Sequence, residues 1–142
     1  MRRIAAENSK KGENSVNKAA LKTRDFQWWS AKNNALIREH SQAARDYGKW
    51  LESQLQVETF EAEKVLELER LPHISPTGIR KLYFQTQWCS DFYIRFADGR
   101  VGVRELAPSA ALDKQAEVEK LELSRRYWAA MSITDWKVVL TP

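Results

Sequence analysis

Residues 90–108 read SDFYIRFADGRVGVRELAP, and the way this stretch folds decides the rest. Polar and apolar residues alternate through 91–96 and again through 100–106, the period of two that marks a β-strand. Between them Ala97-Asp98-Gly99 suits a three-residue hairpin loop with Gly99 in the left-handed region. That loop sets Phe96 opposite Arg100 and, counting back, Asp91 opposite Glu105. Asp91, Glu105 and Ala107 then share one face. A two-residue Asp-Gly turn would shift the register by one and separate the carboxylates, so their pairing depends on the looser turn.

Working outward, RKLYFQTQW (80–88) reads as a strand leading into the hairpin. From about Trp50 to Arg70 the spacing predicts a helix, with Leu51, Leu55, Ala62 and Leu66 on one stripe. Pro72 and Ser75-Pro76-Thr77-Gly78 close it with a loop. Residues 112–131, rich in Glu, Lys and Arg, predict a second helix, and WKVVL (136–140) a last strand. The order is helix, three strands, helix, strand. This is an α/β domain with a mixed central sheet flanked by helices. The chain divides into a basic arm with an aromatic segment over 1–45 and a folded domain over 46–142. The run Phe26, Trp28, Trp29 packs a core or forms a docking surface.

The whole chain is 142 residues, 43% hydrophobic and 30% charged, which suits one globular domain with a core of its own. No apolar run approaches the roughly 20 residues of a membrane span. No secretory signal is legible at the N-terminus. A single cysteine, Cys89, cannot form an internal disulfide, which fits a reducing, cytoplasmic setting. His40 and His73 stand alone, so zinc and histidine-triad chemistry are not expected. Cys89 reads as a buried thiol rather than a nucleophile. A net charge of +4 biases the chain toward anionic partners such as DNA.

Asp91 and Glu105 on adjacent strands form a hard oxygen pair of the kind that holds Mg²⁺. Such an ion polarises a phosphate oxygen and supplies hydroxide at neutral pH. The other reading of the same pair is two ordinary charges at strand ends.

Further along, residues 120–128 read KLELSRRYW. This block, with Ser-Asp-Phe at 90–92, Asp98-Gly99, Pro108 with Ala110-Ala111-Leu112, and the run from Ile133 to Trp136, resembles the N-terminal endonuclease domain of TnsA. In heteromeric transposases that subunit nicks the 5′ ends of a transposon. The resemblance is densest over 90–141, thinner over 47–70, and does not extend through 1–46. It implies a restriction-endonuclease-like fold with Asp91 and Glu105 as metal ligands and catalytic carboxylates. It also implies a helix acid after Ser-x-Leu and a lysine two residues beyond the second acid. Here Gln56 stands at the acid position and Ala107 at the lysine position. Glu52, one turn earlier, is the stand-in an active enzyme would need. Arg125 and Arg126 would approach DNA phosphates or a partner subunit, unless they are simply solvated. The family continues past the point where this chain stops, at Pro142, into a helical DNA- and partner-binding domain.

The expectation is a TnsA-like protein with a degraded active site and weak or absent Mg²⁺ binding. It would bind DNA through the arm, Arg125 and Arg126, or a transposase or other assembly subunit through Trp28 and Trp29. Two alternatives stand beside it. One is a working Mg²⁺-dependent endonuclease that nicks 5′ transposon ends. The other is a scaffold protein that kept only the fold.

Overall fold

The structure, a computed structural model, describes residues 1–4 and 25–142. The basic arm expected over 1–24 therefore lies, apart from its first four residues, outside the described residues. The strands are β1 (Arg2–Arg3), β2 (Phe26–Ser30), β3 (Ala35–Glu39), β4 (Val57–Val65), β5 (Trp88–Phe96), β6 (Val101–Pro108) and β7 (Asp135–Thr141). The helices are α1 (Gln42–Ser53) and α2 (Gln115–Ala130), with 3₁₀ turns at Leu68–His73, Lys81–Gln85 and Ser109–Asp113.

The hairpin is the expected one. Gly99 has φ +92°, and the loop closes with Phe96 N–H on Arg100 O and Gly99 N–H on Phe96 O, both 2.9 Å. The pairs Arg95↔Val101 to Phe92↔Arg104 fix the register. β4 pairs antiparallel with β5. β7 returns parallel to β6, Gly102↔Asp135 to Pro108↔Thr141, with α2 in the crossover. The result is a mixed sheet in an α/β domain.

Two of the expected elements are corrected. The helix expected over 50–70 is the end of α1 followed by strand β4. A register shift between Val57 and Thr59 and a left-handed Glu63 at φ +54° break the strand's alternation. The buried Val57 and Phe60 thus fall three apart, a helical spacing. Leu55, assigned to the helical stripe, is 93% exposed. Residues 81–85, expected in a strand, form a 3₁₀ turn instead, and β5 begins at Trp88. The order helix, three strands, helix, strand is nonetheless present, with β4 as the first of the three. The boundary expected at 45/46 falls inside α1, whose N-cap Ser41 accepts the Ala44 N–H at 3.1 Å.

Each face of the sheet carries its own core. Leu123, Tyr127 and Trp128 of α2 pack with Trp88, Val103, Leu66 and Leu71. On the other face Leu51 of α1 and Ile37 of the β2–β3 hairpin cover Phe60, Phe92, Ile94 and Phe96. Burying side chains of this size contributes about 1.5–3 kcal/mol each, so both layers are firmly seated on the sheet.

Candidate functional site: an acidic fork between two strands

The β5–β6 ladder ends at Phe92↔Arg104, one step before Asp91 and Glu105. There the strands part, and side chains take over the backbone's hydrogen bonding. Leu106 N–H donates to Asp91 Oδ2 at 2.7 Å, and Asp91 N–H donates to Glu105 Oε1 at 3.1 Å. Strand alternation breaks at the same level. Ser90 and Tyr93, three residues apart, both meet Trp128: its indole N–H donates to Ser90 Oγ at 2.8 Å, and its ring lies 5.5 Å from that of Tyr93. Strict alternation would put residues of odd separation on opposite faces.

β1 fills the gap. Cys89 already pairs with Val65 on one edge of β5, so Arg2, which also pairs with Cys89, sits on the edge that β6 vacates. Arg3↔Trp88 and Ile4 N–H on Gln87 O at 2.9 Å extend the contact. The Met1 ammonium is thereby driven into the fork, 2.8 Å from Glu105 Oε1 and 3.3 Å from Asp91 Oδ2. Arg2 pairs with Glu63 at 3.1 Å. Ser124 of α2 donates to Glu105 Oε2, and Trp136 Nε1–H donates to Ser124 Oγ at 2.9 Å.

Glu105 is fully buried. Burial raises its pKa; the ammonium works against that rise, and the Asp91 charge adds to it. Burial also opposes charge on the Met1 amine, but Glu105 and Asp91 outweigh it and hold the ammonium above the ordinary α-amine value. The fork is thus a buried ion pair with its hydrogen bonds largely made.

The residues do not fit a Mg²⁺ centre as they stand. Both Glu105 oxygens and Asp91 Oδ2 accept protein hydrogens, and the space between the acids holds an ammonium. Among the described residues, no three His, Cys, Asp or Glu side chains form a group suited to holding a metal ion. Ala107 is buried and offers only a methyl group.

The remaining sequence-derived site residues are dispersed. Gln56 is not on a helix. It sits in the turn before β4, where its carbonyl accepts the Ala97 N–H at 2.8 Å beside the hairpin loop, just past the C-terminal end of β5, whereas Asp91 lies in the strand's interior. Glu52 is occupied elsewhere. It caps the β2–β3 turn, accepting from Ser30 Oγ at 2.6 Å, Ala31 N–H at 3.0 Å and Lys32 N–H at 3.1 Å. Arg125 and Arg126 both pair with Glu122 at 2.7 Å. Arg126 also donates to the carbonyls of Ser75 and Thr77. Trp28 packs inward with its indole N–H on Glu39 at 2.9 Å, whereas Trp29 is 58% exposed.

Sequence reasoning missed a second buried acid. Glu39 is 1% exposed, and its Oε2 has no hydrogen-bond partner among the described residues. It lines a small cavity of about 80 Å³ with Arg2, His40, Ser41, Glu63 and Asp91. Burial pushes its pKa up to about 7, against the Trp28 hydrogen bond. The signal was present in ALIRE (35–39), where Ile37 and Glu39 share the inward face of a strand. Burial likewise pushes the Cys89 thiol up to about 11, as an inert buried cysteine requires. No family model matches the sequence, and no curated protein matches it.

Proposed function

We propose that this chain is a TnsA-like, restriction-endonuclease-fold protein that works by binding DNA rather than by cutting it. One observation carries the non-catalytic half. Three of the four oxygens in the carboxylate pair that would hold the metal already accept protein hydrogens, and the neighbouring lysine position is Ala107. Losing one oriented catalytic group costs about 10²–10⁴-fold in rate, and with neither the lysine nor a helix acid in place turnover falls near zero.

Charge supports the binding half. Seven of the 23 Lys and Arg lie in residues 1–24 against two of the 19 Asp and Glu, so the remainder of the chain is close to neutral. Lys10, Lys11, Lys18, Lys22 and Arg24 are the phosphate-contacting candidates. The paired Arg125 and Arg126 are weaker ones. Trp29 faces Leu36 across the β2–β3 hairpin, and both are exposed, at 58% and 64%. That pair is where a transposase or other assembly subunit would dock.

The test is DNA affinity across a salt series. Affinity should fall steeply with salt, and replacing Lys10, Lys11, Lys18 and Lys22 by Gln should flatten the slope by about three to four. Supercoiled plasmid should stay intact with Mg²⁺ or Mn²⁺. Nicking by the unaltered chain would reinstate the working endonuclease, and salt-independent or absent binding would leave the scaffold reading.

A further inference from the structure

We propose that the fork between β5 and β6 is a receptor for a polypeptide N-terminus, filled in this structure by the chain's own Met1–Arg3. Three contacts define what it accepts. The first is a primary ammonium between Glu105 and Asp91, at 2.8 and 3.3 Å. The second is an extended backbone added to the edge of β5, through Arg2↔Cys89, Arg3↔Trp88 and the Ile4 N–H on Gln87 O. The third is a basic side chain at the second position, which meets Glu63 at 3.1 Å.

The supporting shell matches a compact cation with several hydrogens to give. Asp91 Oδ2 and Glu105 Oε1 each take one backbone N–H and still face the amine. Ser124 holds the far oxygen of Glu105, and Trp136 holds Ser124. The carboxylates are thus oriented from behind by fixed protein donors, and their open sides converge on one point. An ammonium satisfies both acids with single hydrogen bonds. A hard divalent ion would require about six to eight oxygen ligands, and donors already occupy the flanks of this pair. The fork thus binds an amine in the place where the fold would lead one to look for a metal.

The experiment compares three forms of the full chain: with a free Met1 amine, acetylated at that amine, and extended by Gly-Ser ahead of Met1. Each is melted alone, with the tetrapeptide Met-Arg-Arg-Ile, with its N-acetyl form, and with 10 mM Mg²⁺. Acetylation and extension should lower the melting temperature by about 5 °C or more. The free-amine peptide at millimolar concentration should recover at least half of that loss in the extended chain, and the acetylated peptide should recover none. Asp91→Asn, at a partly buried position where the shape is kept, should fold and should weaken the free-amine peptide's effect several-fold. The proposal is overturned if the acetylated chain melts with the free one, or if the two peptides act alike. It is also overturned if Mg²⁺ restores the loss as well as the peptide does, since the pair is then a metal site. The DNA-binding reading is decided separately by the salt series.

Discussion

Two carboxylates, Glu105 and Glu39, are equally buried in this molecule and are treated in opposite ways. Glu105 has a cation, a hydroxyl and a backbone N–H on its two oxygens. Among the described residues, Glu39 has one indole N–H on one oxygen and nothing on the other. A charge taken out of water must be compensated, or the group must take up a proton. The fork follows the first course and the Glu39 pocket the second. The fork is therefore the place to look for charged ligands, and the pocket the place to look for proton-linked stability.

The largest effect should come from removing the compensated charge. Glu105→Leu leaves the Met1 ammonium facing Asp91 alone and strips Ser124 of its acceptor. Breaking a buried pair from one side costs about 3–5 kcal/mol, measurable as a lower urea midpoint with an unchanged slope. Should the variant lose less than about 1 kcal/mol, the fork is a solvated pair and the contrast with Glu39 collapses.

The next effect is linkage at Glu39. Its folded pKa of about 7 lies above the ordinary carboxyl value of 4.5, so the folded state binds the extra proton. That stability is fully present below pH 4.5 and is lost as pH rises through 7. It amounts to about 3 kcal/mol. Burial raises the value most and Glu63 adds to it, while the Trp28 indole, Arg45 and Lys49 act against the rise. Glu39→Gln keeps the acceptor for Trp28 and removes the titration. The variant should be flat from pH 5 to 8 and more stable than the parent at pH 8. A parent profile already flat over that range would show that the orphaned oxygen finds solvent. The fork has its own window. The Met1 amine is held above its ordinary value of 8.0, so its contribution is complete below pH 8 and is lost only at more alkaline pH.

How much of this was legible beforehand follows from the range of the interactions. The hairpin was readable from Asp98-Gly99, but its register only as one of two, and the pairing of Asp91 with Glu105 followed from the three-residue loop that the structure has. The swap of helix for strand at 57–65 was not readable. The bulge after Val57 and the left-handed Glu63 convert a period of two into an apparent helical spacing, and only pairing with β5 reveals it. Gln56 was misplaced for the same reason, since it was read on a helix that ends at Ser53, whereas Glu52 does lie on that helix but turns its carboxylate to the β2–β3 turn. The Met1 ammonium was out of reach, because a contact spanning 90 residues leaves no local pattern. Ser124 was in view inside KLELSRRYW, but a helical serine shows its partner only once the sheet is built.

The smallest effect concerns that same block and separates structure from binding within two adjacent arginines. Arg126 ties α2 to the loop through the carbonyls of Ser75 and Thr77 at 2.7 and 2.8 Å, besides pairing with Glu122. Among the described residues, Arg125 pairs only with Glu122, on an exposed surface. Charge-assisted bonds to backbone carbonyls are worth more than a solvated ion pair. Arg126→Ala should therefore cost about 1–2 kcal/mol, and Arg125→Ala less than about 0.5 kcal/mol. If the helix only packs on the sheet, neither change should move DNA affinity by more than about twofold at fixed salt, the scale of less than one phosphate contact. A tenfold loss on Arg125→Ala, with stability unchanged, would mean that Glu122 releases the guanidinium to a phosphate. The DNA surface would then reach from the N-terminal segment onto α2.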